Sequence, residues 1–582
     1  MTHDLVIRGG LVVDGTGARG RLADVVVDGA VITDVVDAGT ADPGTREIDA
    51  AGLVVTPGFV DMHTHLDAQV AWDPMGTSSS WHGVTSVVMG NCGVTFAPCK
   101  PEDREYLADM MESVEDIPAE SIMAALPWDW ETYGDYLDSL ERIDSVMNVG
   151  GMVGHCALRY WAMGDRSMDP DARPSDAELA EMERLLDEGI AAGALGFSTS
   201  RTLRHKVPDG RQVPGTFADR AELLALASVL RDRGRGIFES APRFDGDGPS
   251  EPRCRSELDW MRELALTTGR PVTFNLTHTY ENPDHHRLAI DLAAAANVQG
   301  AHIRPQTTAR GIGVLFSLQA STPFGRHPSW AALSELDMAE RLAAVRDPRT
   351  RATLIEEAAA SPSAEELARF FVTGADGVPG QRNGIARYDC DPRTSLPAIS
   401  ADRGVSMAEA YLDLCDESDG DVLVYWPLLN QSMDAIADML TDDTVIMGLA
   451  DAGAHVGQIL DASQPTWFLT HWSRDRGLIP MERAVQRLTS DTAEFVGLAN
   501  RGTIAVGAAA DLNVIDWDAL SLPVPEFVHD LPKGASRWIQ RAHGYVATVI
   551  NGVVALEHGN HTGATPGTVL RSGPDEFGSK VR

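Results

Sequence analysis

"SDAELAEMERLLDEGIAAGALGFSTS", residues 175–200, contains a whole helix-to-strand passage, and its reading decides the architecture. Ser175 and Glu178 stand three residues apart as a capping box, so side chains meet the free backbone donors of a first helical turn. Leu179, Met182, Leu185, Leu186 and Ile190 recur at helical spacing and make one apolar face. Gly193 is a plausible helix stop, and "ALGFSTS" follows at once as a short strand that Ser198 helps close.

The same alternation extends outward. "RAELLALASVLRDRGR" reads as helix, "GIFES" as strand, "ELDWMRELALTTGR" as helix and "PVTFNLTH" as strand, while "GVTSVVMGNCG" and "MNVGGMVGH" are earlier buried strands. Strand, helix and strand at this spacing mean βα units and a parallel sheet. The fold class is therefore α/β. Residues 57–495 have room for a (β/α)8 barrel plus an insertion at about 310–440, where the rhythm breaks and a lid is a candidate. The two ends follow another grammar. "LVIRGGLVV", "VVVDGAVIT" and "VATVINGVVALE" each set glycine turns between apolar runs, and "DLNVIDW" is a further strand. Residues 1–56 and 496–582 are expected to build one small β-sandwich domain together.

At 582 residues the chain is long enough for two or three domains. Its formal net charge of −37 opposes binding to nucleic acid or to an anionic membrane, which needs clustered Lys and Arg. No run approaches the roughly 18–20 apolar residues of a membrane helix. The opening "MTHDLVIRGG" lacks the pattern of a secretory leader, and six scattered cysteines are too few for a disulfide framework. A cytoplasmic protein acting on a small molecule is expected, with a homo-oligomer left open.

In such barrels the chemistry sits where strands end. "GFVDMHTHLDAQ", residues 58–69, puts His63 and His65 on one strand face with Thr64 turned away. Cys92, His155, Glu239, His278 and Asp451 close other strands. Each alone has an ordinary reading: a hydrogen-bonded core histidine, a small core thiol, an exposed strand-end carboxylate, a helix cap. Gathered on one rim, they form a soft-to-borderline donor set suited to zinc.

"TPGFVDMHTHLD", "GVTSVVMGNCG", "GALGFSTS", "LTH", "ADAGAH", "RLTSDTAEFVGLANRGTIAVGAAADLNVID" and "INGVV" together resemble, in order and over nearly the whole chain, the amidohydrolase superfamily and within it the N-acyl-D-amino-acid deacylases. The resemblance implies a (β/α)8 barrel with a β-sandwich from both ends. It implies metal positions at His63, His65, Cys92 and His278, one or two zinc ions, and Asp451 as general base and acid that also reaches the metal. Many superfamily members bridge two metals through a modified barrel lysine. Here the only lysines are Lys100, Lys206, Lys533 and Lys580, none in an apolar strand-like run, so a Cys92 thiolate bridge is the consistent alternative.

Three positions depart from the family pattern. Ala241 falls where the fifth strand normally ends in a metal histidine, and Glu239, two residues earlier on the same face, is an alternative oxygen ligand. Tyr280 and Leu203 stand near where a lysine and a tyrosine would hold a substrate carboxylate. The expected reaction is cleavage of a small N-acyl amino-acid-like amide: a metal lowers the pKa of water and Asp451 moves its proton to the leaving amine. His155 is expected to help at the oxyanion. Arg201 is expected at the substrate, with Arg204, Arg304 and Arg310 as further cation candidates. A cyclic amide, imide or lactone hydrolase is the alternative enzyme, and a barrel that lost its chemistry is the non-catalytic one.

Overall fold

A computed structural model describes residues 2–360, 366–373 and 384–573. Residues 361–365 and 374–383 of the expected insertion, and 574–582 of the expected C-terminal part, lie outside the described residues.

The helix from which the reading began spans Asp176–Ala192. Ser175 and Glu178 cap it reciprocally, Met182, Leu185, Leu186 and Ile190 are buried, and Gly193 ends it in the left-handed region at φ 117°. Strand Gly196–Ser200 follows. It is the fourth of eight parallel strands paired in chain order: Phe59–Asp61, Val84–Met89, Asn148–Gly154, Gly196–Ser200, Ile237–Ala241, Val272–Asn275, Ile303–Thr307 and Ile446–Met447. A parallel bridge between Thr64 and Ala452 joins the segments that follow the first and eighth strands, and the His65 N–H donates to the Ala452 carbonyl at 2.8 Å. The barrel therefore closes at the segment that carries both imidazoles.

The end segments form one nine-stranded sheet. Strands His3–Val12, Arg21–Asp28, Val31–Asp37, Gly44–Asp49 and Val54–Pro57 join Leu512–Ile515, Tyr545–Ile550, Val553–Glu557 and Asn560–His561. The seam is the antiparallel pairing of Val54–Pro57 with Leu512–Ile515. Turns at Asp28-Gly29 and Asn551-Gly552 reverse the chain. The turn expected at Gly9-Gly10 does not form. The strand runs through it with a register shift, Gly9 at φ 67°, because a Cβ on Gly10 would lie 2.5 Å from the Val55 side chain of the next strand. The glycine pair is a bulge, since a left-handed residue can absorb one extra position without reversing the chain.

Between the seventh and eighth barrel strands the chain leaves the barrel. Strands Ile312–Phe316, Phe371–Val372 and Val424–Leu429 make a three-stranded sheet, and helices including Pro348–Ala360 and Met407–Glu417 pack on a core of their own around Phe324, Trp330, Tyr411 and Leu412. The barrel rhythm resumes at helix Met433–Thr441, whose Ile436, Met439 and Leu440 join the main core. That is earlier than position 440, because Ser432 caps this helix and fixes its start. Among the described residues no helix is long and apolar enough to cross a membrane.

Candidate metal centre

His63 and His65 follow the first barrel strand, and their rings lie 5.5 Å apart. Cys92 sits in the turn after the second strand at φ 53°. That turn is pressed against the fourth strand: the Gly93 N–H donates to Ser198 Oγ at 3.0 Å, and a Cβ on Gly93 would lie 2.7 Å from the Ser200 nitrogen. Close approach of this kind is what a glycine permits. The outcome is a buried donor group in which His63, His65 and Cys92 each offer one ligand atom within 4.8 Å of the others. Cys92 Sγ lies 3.5 Å from His63 Nε2. A nitrogen at about 2.0 Å and a sulfur at about 2.3 Å from one tetrahedral zinc are separated by about 3.5 Å, so the donors fit that ion.

Asp451 completes the group from the loop after the eighth strand. Its Oδ1 is 2.9 Å from His63 Nε2 and 3.8 Å from His65 Nε2. Leu449, Asp451 and His455 of this loop all have positive φ, at 52°, 44° and 50°. Non-glycine residues held there store backbone strain, which collects at sites that need a fixed geometry. Burial acts to raise the Asp451 carboxyl, but the His63 and His65 imidazoles outweigh it and hold the group below the ordinary carboxylate range. Burial works against charge on His63, yet Asp451 and Glu239 lift it to about 9. Burial takes His65 down to about 3. For Cys92, burial and the neighbouring carboxylates push the thiol well up. A bound cation would reverse that, since a coordinating thiol loses its proton outright.

The fifth strand supplies Glu239, which is fully buried and pushed up to about 7 by that burial. Its Oε2 accepts the Cys92 backbone N–H at 2.9 Å, and its Oε1 is buried with no hydrogen-bond partner among the described residues. Glu239 thus stands against the turn that carries the thiol, outside the three-residue donor group.

Other expected residues are not brought to this group. The sixth strand ends at Asn275, and it is Asn275 Nδ2 that reaches Cys92 Sγ at 3.5 Å. His278, three residues beyond the strand, turns its ring to Tyr280 and His286, while its N–H is held by Asn430 Oδ1 at 2.9 Å. His155 opens helix His155–Met163 directly after the third strand and has both nitrogens occupied, Nδ1 by Thr199 Oγ1 at 2.9 Å and Nε2 by Glu222 Oε1 at 3.0 Å. Arg201 is paired bidentately with Glu257, at 2.9 and 3.0 Å. Arg310 is buried against Asp461 and the face of Tyr388, and Arg304 meets Asp491.

A cavity of about 540 Å³ opens over the centre. His65, Cys92, Glu115, His205, Asp451 and His455 form its polar floor, and Ile312, Val314, Leu428, Leu429 and Ile459 form an apolar wall, four of them from the insertion. Two arginines also line it. Arg253 is bound to the Phe244, Asp247 and Gly248 carbonyls, whereas Arg204 is exposed and has no ion pair among the described residues. The size and the mixed lining are those of a small-molecule site.

Glu115, Gln306 and Asn275 escaped the sequence reading. Gln306 lies in the seventh strand, its Oε1 3.2 Å from His63 Nδ1 and its Nε2 3.3 Å from Asn275 Oδ1. Glu115 carried a readable signal: it continues the buried stripe of Leu107, Ala108 and Met111 on helix Arg104–Glu115, where a carboxylate is out of place.

Comparison with known proteins agrees with this geometry. Residues 46–556 match the amidohydrolase family model. The chain is 30% identical over 542 residues to an N-acyl-D-glutamate deacylase of Alcaligenes xylosoxydans xylosoxydans, covering 92% of this chain and 93% of that protein. Among solved structures, a D-aminoacylase studied for its binuclear metal centre superposes at a TM-score of 0.65 with 25% identity, covering 98% of this chain and 100% of that one. An N-acyl-D-glutamate deacylase from Bordetella bronchiseptica, complexed with zinc and a phosphonate mimic of the tetrahedral intermediate, superposes at 0.64 with 25% identity over the same shares. With the barrel, the rim of donors and these full-length matches in agreement, the chain belongs to the amidohydrolase family, as a deacylase-like hydrolase.

Proposed function

We propose that this protein hydrolyses the amide bond of small N-acyl-D-amino acids, with zinc at the His63–His65–Cys92 group. One observation carries the reading. A buried N,N,S donor group lies beside the Asp451 carboxylate, under a cavity lined by Arg204, which has no ion pair among the described residues. When bound, the metal supplies Lewis-acid polarisation and a lowered pKa for water.

The chain's own residues do the rest. Asp451, held ionised by the imidazoles, accepts the proton of the attacking water and returns it to the departing nitrogen. Gln306 accepts from His63 Nδ1 and so leaves Nε2 facing the donor group. Arg204 takes the substrate carboxylate, in place of the family lysine and tyrosine replaced here by Tyr280 and Leu203. The insertion wall of Ile312, Val314, Leu428 and Leu429 takes an apolar substituent and keeps water from it.

The test pairs metal analysis of the purified protein with a panel of N-acetyl-D-amino acids, their L-enantiomers, hydantoins and lactones. We expect at least about one zinc per chain, as the single donor group implies. We also expect D-selective amide hydrolysis that a chelator abolishes. Turnover of ring substrates alone, or a metal-free protein, would overturn the proposal.

A further inference from the structure

We infer that Glu115 is a positioning residue that sets the His65 ring and the Asp451 loop together; the inference rests on the metal reading above. Glu115 is 2% exposed and lies on the apolar face of its helix, with no Arg or Lys paired to it among the described residues. A buried carboxylate without a cationic partner is costly, so what it faces matters. It faces two imidazoles. Its Oε1 lies 3.7 Å from His65 Nδ1 and its Oε2 lies 3.6 Å from His455 Nε2. Both His65 Nδ1 and Glu115 Oε1 are buried with no hydrogen-bond partner among the described residues.

His65 Nε2 points the other way, toward Asp451 and the donor group. If that nitrogen binds metal, Nδ1 must carry the proton and needs an acceptor, and Glu115 Oε1 is the group in line for it. The helix end also grips the loop. The Glu115 carbonyl accepts the His455 N–H, and Asp116 Oδ2 accepts from Gln458 Nε2 at 3.0 Å. This is the loop in which Leu449, Asp451 and His455 are held at positive φ. One residue thus couples the orientation of a ligand to the placement of the base.

The experiment measures zinc affinity by chelator competition in the parent, Glu115→Gln and Glu115→Ala, with visible spectra of the cobalt(II) forms. Glu115→Ala is expected to bind zinc about 10–100-fold more weakly. Glu115→Gln keeps an uncharged acceptor and is expected to weaken binding by about three- to tenfold. Both cobalt spectra should shift. At saturating zinc, kcat of the variants should remain below the parent's, because the Glu115 side-chain contact to His455 on the Asp451 loop is changed or lost. Zinc affinities of both variants within twofold of the parent would overturn the inference. Should Glu115→Ala not fold, Glu115→Gln decides alone on the same criterion. If the parent itself takes up neither zinc nor cobalt, the proposed function falls, and this inference with it.

Discussion

Two buried imidazole–carboxylate pairs in this molecule look alike on paper and differ in kind. His63 meets Asp451 at 2.9 Å, and His155 meets Glu222 at 3.0 Å. Around His155 both ring nitrogens are answered: Thr199 takes Nδ1, Glu222 Oε1 takes Nε2, and Arg159 Nε donates to that same oxygen at 2.8 Å, while Glu222 Oε2 has no hydrogen-bond partner among the described residues. Burial pushes His155 below its usual range, although Glu222 acts to raise it. Around His63 the neighbourhood is acidic and incomplete. Glu239 Oε1, His65 Nδ1 and Glu115 Oε1 are buried without hydrogen-bond partners among the described residues, and the group opens into a cavity. An arginine backs the His155 pair deep in the protein, whereas the His63 pair faces a cavity.

Opposite substitutions should separate the two. Asp451→Asn is expected to lower kcat by about 10²–10⁴ while zinc content and melting temperature stay near the parent's. Near-normal turnover would erase the distinction from the catalytic side. Glu222→Gln should leave turnover per folded molecule unchanged and destabilise the protein by about 3–5 kcal/mol, read from denaturant unfolding, because Arg159 would remain buried without its partner. The arginines make the same contrast at smaller scale. Arg204→Ala is expected to raise KM for carboxylate-bearing substrates about 10–100-fold, the loss of a charged hydrogen bond, and to spare their neutral amides. Equal effects on acid and amide would remove Arg204 from the carboxylate.

The smallest expected effect is the pH dependence of the Glu222→Gln penalty. Burial acts to raise the Glu222 carboxyl, but the His155 hydrogen bond and the Arg159 charge outweigh it and hold the group below its ordinary 4.5. A depressed folded pKa gives stability that is fully present above the unfolded value and is lost as pH falls through the folded one. The gap between parent and variant should be full near neutrality and narrow only below about pH 4.5. A gap that narrows on going up in pH would contradict the pairing.

Much of the barrel was legible, because its signals are local. The Ser175–Glu178 cap, the Met182–Ile190 stripe and the Gly193 stop act within one helix, and the helix forms where they say. The pairing of His63 with His65 was legible for the same reason, being fixed by adjacent positions on one chain segment. Gly9-Gly10 misled because a bulge and a turn use the same residues, and only the distant Val55 decides between them. His155 and Arg201 misled for a related reason. A strand-end position is visible in the sequence, but whether Glu222 or Glu257 already occupies the side chain is not. Glu115 and Gln306 reach the site from separate elements, and no spacing in the chain announces that one faces His65 and the other His63.

The seam of the nine-stranded sheet has a consequence for synthesis. Val54–Pro57 pairs along one edge with Leu512–Ile515, some 450 residues further on. While a ribosome makes the barrel, that edge stays bare, a row of unsatisfied amides and carbonyls open to any passing strand. The sheet can be finished only after the barrel's residues have been made, so its completion ties the first strands of the chain to some of the last.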